Sequence, residues 1–316
     1  MRCLLSESLL INKYNFAVFM GVLLSLFYCM VFNSYKAMSP VKKTPVYFFS
    51  HGGPTFMYED EEGGDSGAYR KVQYIGKEIT EKVKPKGIVI FSAHWQASKD
   101  EVEVNTSTDS DLIYDFYGFP KYMYEETFEH SGSAEIANKV LDLFEKNGIK
   151  AKPTKRSIDH GVWVPFKVAF DPNTNPLRCP IVQVSLYDNE NPEKHYALGQ
   201  ALAPLREEGI VIIGSGMSVH NLRDLFRLRS DKPTDYAISF DEALKDAVTL
   251  YTGESRKQAL IDICERRDAR KAHPTFDHLF PIHIAAGAAG DDSAKRLYSN
   301  QVGSMAWGQF RFGAVE

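Results

Sequence analysis

The sequence predicts an α/β domain, on three observations. Short apolar runs alternate with longer helical periods after residue 43, the runs are nearly continuous in their apolarity, and three of them lead into a histidine. The alternation is the pattern of βαβ units. Continuous apolarity implies strands buried on both faces, as in a sheet covered by helices. In such sheets ligands bind beyond the carboxyl ends of the strands, so residues placed there converge although they are far apart in sequence.

Taken in order, the predicted strands are Pro45 to Ser50, Gly87 to Ala93, Ile181 to Leu186 and Ile210 to Gly214, each a β-branched or aromatic run bounded by turn residues. One predicted helix carries Val72, Ile75, Ile79 and Val83 on a face, and another carries Ile136, Val140, Leu143 and Phe144. Further helices are predicted over 193–208, 235–251 and 254–268. The acidic, glycine-rich stretch Tyr58 to Gly67 reads as a mobile surface loop. No internal repeat or linker interrupts the chain after residue 43.

A length of 316 residues suffices for one large domain or two small ones, and a formal net charge of −4 gives no footprint for nucleic acid. Cys3, Cys29, Cys179 and Cys264 show no CxxC spacing, which suits a reduced intracellular domain without a thiolate metal site. The compositional anomaly is Phe16 to Phe32, an uncharged apolar run within an N-terminal extension, residues 1–43. It fits a signal anchor better than a cleaved signal, and the lysines after it favour a cytoplasmic domain. The alternative is a start at Met38, without the anchor.

The stretch GSGMSVHNL, residues 214–222, follows the fourth predicted strand. It fails as a dinucleotide fingerprint, because Val219 stands where the third glycine belongs. It also fails as a nucleophile elbow, since neither Ser215 nor Ser218 has both flanking glycines. What remains is His220. His51 and His94 occupy the same kind of position after the first two strands, and His160 follows Asp159, an acid that could set an acid/base group. His273 and His278 lie near the C-terminus. His130 and His195 read as surface residues, and His283 as packed or exposed. Gathered neutral imidazoles suit Zn, Fe, Cu or Ni, and composition does not choose among them.

The blocks FFSHGGPTF, FSAHWQ, YDFYGFP, DHGVW, GSGMSVHNL and HPTFDHLFP, in this order, resemble the class III extradiol dioxygenases of the LigB superfamily, in the 4,5-DOPA dioxygenase branch. The resemblance covers roughly residues 44–310, within a catalytic domain taken as 44–316. It implies a single α/β domain with a central mixed β-sheet flanked by helices and the active site at the strand C-terminal ends. It also implies one divalent metal held by His51, His94 and His278, with His220 as a further ligand or an acid/base group. His160 resembles the histidine that contacts the catechol, and Tyr114, Asp115, Phe116 and Phe119 fall in a block that walls the pocket; His273 is the weaker of its pair. The implied reaction is opening of a catecholic ring with O2, with Fe2+ needed for cleavage and Zn2+ as the resting occupant. Two other readings stay open: a noncatalytic, Memo-like metal-binding relative, and a zinc hydrolase, for which no glutamate base is evident.

Overall fold

Eleven strands are present among the described residues, which in the computed structural model are 42–61 and 63–315. In chain order they are β1 (Val46–Ser50), β2 (Gly87–Gln96), β3 (Val102–Asn105), β4 (Ala151–Thr154), β5 (Ile181–Leu186) and β6 (Ile210–Gly216). After these come β7 (Val219–His220), β8 (Ala294–Tyr298), β9 (Gln301–Val302), β10 (Met305–Ala306) and β11 (Gln309–Phe312). Eight of them form one sheet in the order β4-β3-β5-β2-β6-β1-β11-β8, and β7-β10-β9 form a small second one. The four predicted strands are the adjacent, mutually parallel centre, β5-β2-β6-β1. Antiparallel pairing of β3 with β5 and of β11 with β1 makes the sheet mixed.

Successive residues of the central strands point to opposite faces, so each strand feeds two cores. Tyr47, Phe49, Ile88, Ile90, Val211 and Ile213 pack with the helices Ser66–Lys77 and His160–Ala169. Val46, Phe48, Val89, Phe91, Ile210 and Ile212 pack on the other side with the helices Ala134–Lys146, Pro192–Leu202, Asp235–Thr249, Gly253–Cys264 and Phe280–Ala289. This double cover is why the central strands lack polar alternation.

Helix ends follow local chemistry. Ser133 accepts the Ile136 N–H, and Asn191 accepts the Lys194 N–H. The periodic stretch ending at Val83 is an α-helix only to Lys77; a π-turn, Glu78–Val83, completes it. The helices His160–Ala169 and Phe280–Ala289 have no counterpart in the sequence prediction. Every residue of the second is buried, as is all of the first except Lys167, so neither shows an amphipathic period. The expectation of a mobile loop over Tyr58 to Gly67 needs correction at its end. Ser66 and Gly67 begin a helix, and the Asp65 carboxylate accepts the Ala68 N–H, the Tyr298 hydroxyl and the Asn300 amide. The apolar run Phe16 to Phe32 lies outside the described residues. Among those described, no helix is long and apolar enough to cross a membrane.

Candidate metal centre and its acid–base neighbour

Three of the predicted ligands meet at the carboxyl ends of the parallel strands. His51 follows β1 directly and donates its backbone N–H to Gly216 O of β6 (3.0 Å). His94 lies near the end of β2. His278 comes from the turn before the Phe280–Ala289 helix, whose backbone must press against β6. Gly214 and Gly216 permit this, because a Cβ on them would stand 2.1 Å from Pro281 O and 2.2 Å from His278 O. The contact is then locked by Met217 N–H donating to His278 O (2.9 Å). The glycines of GSGMSVHNL therefore serve close packing.

The Nε2 atoms of His51 and His278 lie 3.0 and 3.2 Å from Nε2 of His94. Nitrogen ligands about 2.0–2.1 Å from one tetrahedral ion would stand roughly 3.3 Å apart, so the spacing fits a shared metal. The partners of the far nitrogens give the same answer. His278 Nδ1 bonds the Asp277 carboxylate (2.7 Å), which can only accept, so its Nε2 carries the lone pair. His51 Nδ1 bonds Ser215 Oγ (3.0 Å), and that hydroxyl donates its one proton to Gly161 O. Gly161 O is free to accept because residue 165, four positions on in the helix, is proline and has no N–H. Ser215 must therefore accept from His51 Nδ1–H, leaving a lone pair on Nε2. Two obligate acceptors facing one His94 nitrogen cannot both be satisfied by a single proton. A cation satisfies all three.

Burial and then the surrounding imidazoles hold the pKa values of His51, His94 and His220 well below the ordinary histidine value. The rings are neutral, as ligation requires. Burial opposes ionisation of Asp277, but its bonds to His278 and Thr275 outweigh it and keep the carboxyl below its usual range.

His160 lies beside this cluster, its ring centroid 3.9 Å from that of His94 and edge-to-face with Phe116 at 5.7 Å. Its acid partner differs from the one its sequence neighbour suggests. Asp159 is fully buried and turns away, accepting from Ser92 Oγ, Arg156 Nη1 and Gln183 Nε2. Asp115 bonds His160 Nδ1 instead (2.9 Å).

His220 is not brought into the ligand triple. It stacks on His278 with centroids 3.6 Å apart and planes 11° from parallel, so its in-plane lone pairs run alongside those of His278 and do not converge with them. It also lies in β7, two residues before the helix Leu222–Leu228 that Asn221 caps. His195 is corrected from surface to core: it is fully buried and stacked on Phe280 at 4.1 Å. His283 is packed and His273 is buried against Ser218 O, both away from the triple. His130 is half-buried beside Ser110. Of the pocket-wall block, Phe116 faces His160, Tyr114 packs on Trp163 at 5.4 Å, and Phe119 packs on Phe116 at 5.6 Å. Sequence reasoning missed Ser215 and Asp277 as orienting partners. Only the adjacency of Asp277 to His278 could have signalled either.

Residues 45–311 match the family described as the catalytic LigB subunit of aromatic ring-opening dioxygenase. A protein of Beta vulgaris named 4,5-DOPA dioxygenase extradiol is 35% identical over 276 residues, 86% of this chain and 97% of that one. A 4,5-DOPA dioxygenase extradiol-like protein of Schizosaccharomyces pombe is 34% identical, across 79% of this chain and 86% of its own. Among solved structures, an uncharacterised Escherichia coli protein superposes with a TM-score of 0.66 at 25% identity, covering 86% of this chain and all of that one.

Proposed function

The chain belongs to the LigB family of aromatic ring-opening dioxygenases, and from that premise we propose that it opens a catechol ring with O2 in a metal-dependent, extradiol manner, with a DOPA-like catechol as substrate. The observation that carries the reading is the convergence of three Nε2 atoms, those of His51, His94 and His278, with the partners of the far nitrogens leaving the lone pair on Nε2 of His51 and His278, beside the aromatic wall around His160. The reading assigns these three as ligands of one divalent ion. Bound there, the ion supplies Lewis acidity at the catechol oxygens and, as Fe(II), redox access to O2 that Zn(II) lacks.

The protein's own groups do the rest. The neutral rings of His51 and His94 can serve as ligands without first giving up an imidazolium proton. Phe116 and Tyr114 offer faces and edges to an aromatic ring and exclude water from it. His160 takes the proton of a catechol hydroxyl and later returns it. His220, which the resemblance leaves between ligand and proton carrier, is assigned to the proton, because its stacked ring directs no nitrogen at the point the other three enclose. The reading keeps residues 1–43 as a tether for a catalytic domain on the cytoplasmic face, tested by carbonate extraction of the chain with and without them.

The function is tested by anaerobic reconstitution with Fe(II), followed by oxygen uptake with DOPA, catechol and protocatechuate. A yellow ring-opened product is expected from at least one. If metal is bound and no catechol is opened, the reading fails. His94→Ala is expected to abolish metal binding, whereas His160→Ala keeps the metal and loses turnover by about 100-fold or more.

A further inference from the structure

Asp115 stands behind two imidazoles at once. Its Oδ1 accepts from His160 Nδ1 (2.9 Å) and from the His160 backbone N–H (3.0 Å), while its Oδ2 lies 3.6 Å from His94 Nδ1. The backbone bond has a structural cause. His160 opens the His160–Ala169 helix, and the residue in the capping position, Asp159, makes no side-chain cap because its carboxylate is committed to Ser92, Arg156 and Gln183. The positive end of the helix is thus left to a carboxylate from the preceding loop. That loop also supplies Phe116, which packs edge-to-face on the same imidazole.

From this geometry we propose that Asp115 is the positioning residue of an Asp115–His160 dyad. It fixes His160 in the Nδ1–H tautomer, leaves Nε2 as the proton acceptor, and stabilises the imidazolium formed when the acceptor is used. The balance is simple: the catechol O–H bond breaks, a proton passes to Nε2, and the charge created on the ring faces an anion already in place. The same carboxylate also faces His94, but at 3.6 Å its Oδ2 lies beyond hydrogen-bond reach of His94 Nδ1, so its bonds go to His160. The kinetic part rests on the ring-opening function proposed above; the tautomer part does not.

The test combines nitrogen-15 NMR of the Zn(II)-loaded protein with kinetics of the Fe(II) form. Long-range proton–nitrogen correlation is expected to show His160 as Nδ1–H in the wild type, and as a mixture or Nε2–H in Asp115→Ala. Asp115→Asn keeps an oxygen facing Nδ1 but removes the charge. It is expected to lower kcat by about 10- to 100-fold, with KM within about twofold and metal content unchanged. Asp115→Glu is expected to recover part of the loss. An Nε2–H His160 in the wild type overturns the dyad, as does a wild-type kcat in Asp115→Asn. So does a second bound metal equivalent that disappears with Asp115→Ala, which would make Asp115 a ligand. If Asp115→Ala does not fold, the wild-type spectrum and Asp115→Asn still decide. A wild type that opens no catechol removes the function while leaving the tautomer assignment to its own spectrum.

Discussion

Two groups of buried or half-buried histidines occupy this protein and face different surroundings. His51, His94 and His278 sit beyond the ends of the parallel strands with their nitrogens turned towards one another. His195, His273 and His283 are buried at least as deeply, but their nitrogens meet backbone carbonyls: Asn191 O, Ser218 O and Leu260 O, respectively. Burial therefore does not make a ligand. What decides is convergence: Ser215 and Asp277 hold the far nitrogens of His51 and His278 so that their near lone pairs face His94 Nε2, whereas the nitrogens left over on His195 and His273 meet no other ligand atom. In the second group the ring simply fills volume and donates a proton to the main chain.

Four perturbations separate the groups, in order of expected effect. Removing metal with a chelator should abolish ring opening and lower stability by about 4 kcal/mol relative to protein at 1,000-fold metal excess over Kd, with recovery on reloading. Thermal unfolding with and without metal checks this, and an unchanged Tm would count against a metal at the cluster. His283→Ala should cost about 2–4 kcal/mol in urea unfolding through lost packing and the lost bond to Leu260 O, with metal content unchanged.

Acid should act through the second group even when metal protects the first. Burial pushes His195, His273 and His283 down to about 4. Between about 6.5 and 4 the unfolded chain takes up protons that the folded one refuses, so stability falls as pH drops through that window, by up to about 1.4 kcal/mol per pH unit for each ring. Urea unfolding of the His283→Phe variant against the wild type over that range should show a shallower slope. The smallest effect is expected for Ser215→Ala, which leaves His51 Nδ1 without its acceptor and should weaken metal affinity about 10- to 100-fold, read by competition with a chromogenic chelator.

How much of this the sequence reveals follows from the same physics. β1, β2, β5 and β6 are legible because strands covered on both faces must be continuously apolar. The outer strands are not: β4 reads Ala-Lys-Pro-Thr and β8 reads Ala-Lys-Arg-Leu-Tyr, short and part-exposed, with pairing supplied by neighbours distant in sequence. The fully buried helix Phe280–Ala289 hides its period for the opposite reason. In the site, His51 and His94 are legible as strand-end residues and His160 as an acid/base candidate beside Asp159, whereas His278 becomes assignable only through the block resemblance. His195 misleads because Glu193 and Lys194 flank it, yet the helix turns it inward with Tyr196 and Leu198. Asp115 could not be told from Asp159, since the choice depends on Ser92, Arg156 and Gln183 claiming one of them, a contest among four separate chain segments.

The central claim is that lone pairs left over at the strand ends, rather than buried imidazoles in general, hold one metal. It is tested most directly by metal content after Zn(II) reconstitution of the wild type, His278→Ala and His283→Ala, with folding checked by circular dichroism. The account predicts about one equivalent in the wild type and in His283→Ala, and almost none in His278→Ala. Equal content in the two variants, or loss only in His283→Ala, would contradict it.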